Sequence, residues 1–131
     1  MTLARVSLAI TGVLFVILGL AFLVEPGRMA NIVGIEADRG RASIEVRAMY
    51  GGLELALGVF FLVATSRTRW FRAALAVQAL GFAGLAAGRI VGMALDGVDR
   101  RMIGLTVIEI GGAVLGLVAF RQAKNALLAV R

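Results

Sequence analysis

Apolar residues fill four long segments of the chain, and short polar stretches separate these segments. They cover residues 3–24, 43–65, 73–95 and 103–120. An apolar segment of about 17 to 25 residues is long enough to cross a bilayer as an α-helix. The pattern therefore predicts an all-α integral membrane protein with four spans, and the connections favour an antiparallel four-helix bundle.

The longest connection, between the first and second segments, carries a helix signal of its own. Pro26 suits the first turn of a helix, and Gly34 is typical of the position just past a helix end. Between them, Met29, Ile32 and Val33 supply an apolar stripe. We predict a short helix after the first span, lying in the membrane interface.

The composition supports a membrane location. The 131 residues are 60% hydrophobic and 17% charged, whereas the apolar share of soluble domains is about half. Seventeen glycines and one proline are consistent with closely packed membrane helices. The first segment is longer than the ~7 to 15 residues of a signal-peptide core and lacks a cleavage site. We therefore predict one four-span membrane domain over residues 1–131.

Several classes of chemistry are disfavoured because the chain contains neither cysteine nor histidine. A dithiol oxidoreductase, a haem held by histidine or cysteine and the usual zinc sites all need these residues. The net charge of +6 does not indicate nucleic-acid binding, because no basic face carries interleaved aromatic residues. We expect no catalytic residues, no metal site, no cofactor and no nucleic-acid partner.

Basic residues are distributed unevenly between the two ends of the predicted bundle. One side has seven basic residues and no acid, whereas the other has five arginines and five acids. By the positive-inside rule, both termini are predicted to be cytoplasmic. The seven residues are Arg5, Arg67, Arg69, Arg72, Arg121, Lys124 and Arg131.

Ionisable residues also lie in or beside the spans, where each costs roughly 2.5 to 3.5 kcal/mol at a helix centre and needs a partner. At ~1.5 Å per residue, Arg89 and Glu109 lie about 9 Å, and Glu54 about 15 Å, below the outer ends of their helices. We predict a polar cluster in the outer half of the bundle, with Arg89 paired to Glu109 or Glu54. Glu45 lies near the water boundary. The predicted ligand-binding residues are Arg47, Tyr50, Glu54, Arg89 and Glu109.

Glycines share helix faces with these polar residues. Gly12 and Gly19 lie on one stripe and give the first helix a flat contact face. In the other spans, glycines recur at spacings of four or seven residues, which allows close approach of two helices. The predicted packing glycines are Gly51, Gly58, Gly84, Gly88, Gly92, Gly112 and Gly116.

Two interpretations of the polar cluster remain open. Charges inside a bundle mark a site that binds or transports a small ligand. They also fix helix register and partner choice, as expected of an accessory subunit in a homo-oligomer or a larger membrane complex. An enzyme acting on a lipid-soluble substrate is the least supported alternative.

Two stretches resemble a family of small bacterial four-helix membrane proteins classed as a domain of unknown function. They are Arg-Ala-Met-Tyr-Gly-Gly-Leu-Glu at 47–54, continuing to residue 58, and Gly-Arg-Ile-Val-Gly at 88–92. The resemblance extends over residues 5–120. The chain is also distantly similar to the DoxX type of four-helix membrane proteins, whose members are linked to thiol stress. It implies a fold but no activity, and without cysteine only an accessory part in thiol chemistry. The family-defining positions that it implies are Arg47, Tyr50, Gly51, Gly52, Glu54, Gly88, Arg89 and Asp96.

Overall fold

The structure, a computed structural model, describes residues 2–37 and 39–128, with side chains for residues 3–37 and 39–123. All regular elements in this part of the chain are helices. Four of the five are long and apolar enough to cross a membrane, as the hydropathy pattern predicts. The exception is α2, the predicted short helix after the first span. The helices are α1 (Thr2–Val24), α2 (Pro26–Ile32), α3 (Arg41–Ser66), α4 (Thr68–Asp96) and α5 (Arg100–Leu128).

Two helices extend well beyond the apolar segments that predicted them. Helix α4 begins at Thr68, so the predicted basic loop around Trp70 is helical, and the chain breaks only at Arg67, whose backbone is extended (φ −109°, ψ 96°). Helix α5 has 29 residues, whereas its apolar segment has 18. Hydropathy marks only the apolar part of a helix, and arginine is itself a good helix former. Asp38, the side chain of Lys124 and Arg131 lie outside the described residues.

Local chemistry explains where the shorter turns occur. Pro26 occupies the first turn of α2. After its last residue, Gly34 adopts a φ of +79°, and the N–H of Ile35 donates to the Ala30 carbonyl oxygen at 2.9 Å. This hydrogen bond is typical of a glycine-terminated helix. At the start of α5, Asp99 Oδ1 accepts backbone N–H groups of Arg101 and Met102 at 2.7 and 3.3 Å, the usual N-cap arrangement.

The described chain forms two compact units, and the first is Ala9–Val63. Here α1 and α3 pack in opposite directions with glycines on both sides. A Cβ atom added at Gly19 would lie 2.6 Å from the Leu55 nitrogen and 2.8 Å from the Gly51 carbonyl oxygen. One added at Gly58 would lie 2.8 Å from the Gly12 carbonyl oxygen. The two backbones therefore approach as closely as glycine permits.

A small apolar core closes one end of this unit. Phe22, Ala30, Ala37 and Val46 are buried together, and the Tyr50 ring packs 5.2 Å from the Phe22 ring, centroid to centroid. These residues come from α1, α2, the turn after α2 and α3. The core therefore fixes the turn at the start of α3, where two arginines lie.

The second unit comprises residues 2–8 and 64–128, in which α4 and α5 form an antiparallel hairpin. Gly112 lies against the Phe82 ring, and Gly116 lies against the backbone of Ala79. The predicted packing stripe on α4 behaves differently. A Cβ atom added at Gly84, Gly88 or Gly92 would meet no other atom of the described chain within 4 Å.

Ser7 and Gln78 form a buried polar pair in the second unit, and each is 1% exposed. The Gln78 amide nitrogen donates to Ser7 Oγ at 2.8 Å, and Ser7 Oγ lies 3.2 Å from Gln78 Oε1. Neither residue belongs to the predicted polar cluster. The pair joins the first turns of α1 to α4.

We expect Gln78→Leu to lower the free energy of unfolding by about 1 to 2 kcal/mol, because the buried Ser7 hydroxyl loses its partner. Equilibrium unfolding in mixed detergent micelles measures this effect. The double variant Ser7→Ala/Gln78→Leu serves as the control, since it removes both polar groups and should recover most of the loss. A double variant less stable than Gln78→Leu would contradict the assignment.

Candidate functional site

Arg89 and Glu109 form an ion pair between α4 and α5. The Arg89 Nε donates to Glu109 Oε1 at 2.7 Å, and its Nη1 lies 3.3 Å from the Met102 sulfur. The side chains are 24% and 8% exposed, respectively. The structure thus brings together two of the five predicted ligand-binding residues, and the arginine keeps some access to the surroundings.

Only one of the two oxygens of the Glu109 carboxylate has a hydrogen-bond partner among the described residues. Its Oε2 atom is buried and accepts no hydrogen bond from the described residues. The nearby Thr106 hydroxyl is engaged elsewhere, since it donates to the Met102 carbonyl oxygen at 2.8 Å. A buried carboxylate oxygen without a donor is costly and rare in folded proteins. The hydrogen-bonding capacity of this oxygen is therefore not met by any described residue.

Glu54 presents a second buried oxygen of this kind, in the first unit. Its Oε2 has no hydrogen-bond partner among the described residues, although the residue as a whole is only half-buried. It lies on α3 directly after an irregular turn. Its predicted position beside Arg89 stays a prediction.

Arg47 has a structural task within the first unit. Its Nε donates to the Leu23 carbonyl oxygen at 3.0 Å, and its Nη1 donates to Ser43 Oγ at 2.7 Å. Leu23 lies in the last turn of α1, where carbonyl groups have no partner within the helix. A cation there also interacts favourably with the helix dipole. Arg47 therefore caps α1, a role that its position in the sequence alone did not reveal.

The backbone of Arg47–Gly52 forms a π-helical turn inside α3. Such turns contain one extra residue, which rotates the following residues by about 100° relative to a regular α-helix. The spacing that predicted Arg47, Tyr50 and Glu54 on one face assumes a regular helix. In the structure, no hydrogen bond joins these three side chains, and Tyr50 instead packs on Phe22.

No group of three or more histidine, cysteine, aspartate or glutamate side chains within the described residues is arranged to hold a metal ion. The polar side chains described above carry guanidinium, carboxylate, hydroxyl and amide groups. These groups bind ligands through hydrogen bonds and charge.

The comparisons with known proteins give a family and no activity. No curated protein and no solved structure matches the chain at a significant level. One family model, described as a domain of unknown function (DUF4345), matches residues 3–120. Because this match includes all four candidate spans up to residue 120, the chain belongs to the DUF4345 family.

Proposed function

We propose that this chain is a multi-pass membrane protein that binds a small polar ligand at the Arg89–Glu109 pair. The observation that carries the proposal is the buried Glu109 Oε2, which has no donor among the described residues. An ion pair with a purely structural role is expected to satisfy both carboxylate oxygens, whereas here the arginine binds one oxygen and the other has no partner among the described residues. A ligand donor would complete it.

The free atoms of the pair define the chemistry of that ligand. Glu109 Oε2 accepts a hydrogen bond, and the Arg89 Nη2 group, which makes no hydrogen bond within the described residues, donates. A fitting ligand therefore carries a donor and an acceptor on neighbouring atoms, such as a hydroxyl or amine beside a carbonyl or carboxylate. Arg89, at 24% exposure, supplies the accessible side of the pair.

The proposal includes a topology taken from the charges of the sequence. An antiparallel four-helix bundle in a bacterial inner membrane, with both termini cytoplasmic, is supported by the seven basic residues that this orientation places on one side. The α4–α5 connection then lies on the outer side, and the Arg89–Glu109 pair lies in the outer half. A distant kinship with the DoxX type is part of the same proposal.

The test compares wild type, Glu109→Gln and Glu45→Gln by native mass spectrometry from mild detergent. Glu45 is an exposed carboxylate on α3 and serves as the matched control. We expect wild type and Glu45→Gln to retain a small-molecule mass that Glu109→Gln loses at least tenfold. A hydrogen bond to a charged group contributes about 1.5 to 3 kcal/mol, and 1.4 kcal/mol is a factor of ten. An unchanged adduct in Glu109→Gln, or no adduct on wild type, would overturn the proposal.

The alternative is an assembly subunit of a homo-oligomer or a larger membrane complex. The observation that favours it is the exposed glycine face of α4, where nothing in the described chain approaches Gly84 or Gly88. Membrane helices associate through such small residues. The same spectra separate the two proposals, because an assembly subunit appears as several copies or with an added protein mass and carries no small-molecule adduct.

A further inference from the structure

An open cleft of about 430 Å³ lies in the first unit, between the beginning of α2 and the first turns of α3. Arg39 and Arg47 both line it, from the turn before α3 and from α3 itself. Gly27 and Gly40 form other parts of its wall and leave the backbone without side chains there. The cleft is therefore a concave surface with two guanidinium groups and little steric obstruction.

The positive charge of this cleft is not neutralised within the described chain. Arg39 is exposed and makes no ion pair or hydrogen bond with the described residues, and no acid is among the described residues that line the cleft. Arg47 is held in place by the Leu23 carbonyl and Ser43 Oγ, but its Nη2 group makes no hydrogen bond within the described residues. One arginine is thus pre-oriented by the fold, and the other is free to close on a ligand.

We propose that this cleft binds a phosphate group through Arg39 and Arg47. Guanidinium groups present planar pairs of N–H donors that match phosphate oxygens, and such charge-assisted hydrogen bonds are stronger than neutral ones. A tetrahedral anion can accept from two arginines at once. The Arg47 bonds to Leu23 and Ser43 reduce the conformational entropy lost when a ligand binds.

Two observations make a phospholipid headgroup the favoured source of this phosphate. Ile44 lines the cleft beside the arginines and is 65% exposed, so an apolar contact adjoins the charged one. The cleft also lies at the N-terminal end of α3, a candidate membrane span, where the surface of a bilayer is expected. Inorganic phosphate shares the chemistry but gains nothing from Ile44. The proposal makes no use of Arg89 or Glu109.

The test uses three probes in mild detergent at constant ionic strength, with binding measured by isothermal titration calorimetry. Dioctanoyl phosphatidylglycerol carries both phosphate and acyl chains, dioctanoylglycerol lacks the phosphate, and inorganic phosphate lacks the chains. The variants are Arg39→Gln and the matched control Arg41→Gln, since Arg41 is exposed at the start of α3 but does not line the cleft. Arg39→Gln removes no hydrogen bond or ion pair within the described chain, so folding should be unaffected.

We expect wild type and Arg41→Gln to bind dioctanoyl phosphatidylglycerol equally, and Arg39→Gln to bind it at least tenfold more weakly. Arg47→Lys, which keeps the charge and loses the planar donor pair, should be weakened similarly. Binding of the lipid alone identifies a headgroup site, whereas equal Arg39-dependent binding of inorganic phosphate identifies a free phosphate site. Three results would each overturn the proposal. Arg39→Gln and Arg41→Gln could weaken binding equally, or dioctanoylglycerol could bind as tightly as the phospholipid. The third is that neither phosphate probe binds.

Discussion

Replacing Gly19 with alanine is expected to lower the free energy of unfolding by about 2 to 3 kcal/mol, through overpacking. The added methyl group would lie 2.6 Å from the Leu55 nitrogen and 2.8 Å from the Gly51 carbonyl oxygen. Both are backbone atoms of α3, so no side-chain rotation relieves the clash. The helices must separate, and they lose dispersion contacts along the whole interface. Equilibrium unfolding in mixed detergent micelles measures the loss.

Gly84→Ala is the matched control for this prediction. Gly84 also lies inside a long helix, but an added Cβ atom meets no other atom of the described chain within 4 Å. Alanine is preferred to glycine in a helix by roughly 0.5 to 1 kcal/mol. Gly84→Ala should therefore be neutral or slightly stabilising. If Gly19→Ala and Gly84→Ala change stability by the same amount, the close α1–α3 contact is not what makes Gly19 necessary.

The four glycines of the α1–α3 contact are spaced seven residues apart on each helix, at 12 and 19 and at 51 and 58. A seven-residue repeat keeps one stripe facing a neighbouring helix over several turns. Each glycine on one helix faces backbone or side-chain atoms of the other. The interface is thus reciprocal. Where one helix has a glycine, the absence of a side chain leaves space that atoms of the other helix occupy.

The helices were largely predictable from the sequence because their signals are local. Four long apolar segments predict four long helices, and Pro26 and Gly34 mark the region of the short helix between the first two. The helix ends were less accurate, as the longer α4 and α5 show. Polar residues at the end of an apolar segment continue a helix as readily as they end it, so hydropathy does not fix the boundary.

The packing of the glycines was less predictable. The spacing of Gly84, Gly88 and Gly92 is typical of a helix–helix contact, yet this stripe has no neighbour in the described chain. The wider spacing of Gly12 and Gly19 belongs to the closest contact in the first unit. Local spacing shows that a helix face is smooth, but the residues that cover it come from distant parts of the sequence.

The candidate site was predictable only in part, for a similar reason. Arg89 and Glu109 lie at similar predicted depths on two helices joined by a short turn. Their pairing was therefore one of the two predicted from the sequence, and the structure shows it. The grouping of Arg47, Tyr50 and Glu54 assumed regular α-helical geometry, which the π-helical turn interrupts. The weak helix propensity of the adjacent glycines is a signal that could have raised this possibility.

Replacing Arg89 with methionine is expected to lower the free energy of unfolding by about 3 to 4 kcal/mol, because a buried carboxylate loses its charge partner. The Glu109 side chain is only 8% exposed, and its Oε2 already lacks a donor among the described residues. Without Arg89, Oε1 loses its 2.7 Å hydrogen bond as well. Equilibrium unfolding in mixed micelles measures the loss, with Arg101→Met as the control for removing an exposed arginine near the same turn.

The double variant Arg89→Met/Glu109→Met separates stability from ligand binding. Replacing both members of a buried ion pair with apolar residues is often neutral or stabilising, so the double variant should recover most of the loss. It should nevertheless carry no small-molecule adduct, because both proposed ligand contacts are gone. If the double variant is as unstable as Arg89→Met, the cost does not arise from an unpaired carboxylate. If it is stable and still retains the adduct, the pair fixes the α4–α5 hairpin and the ligand binds elsewhere.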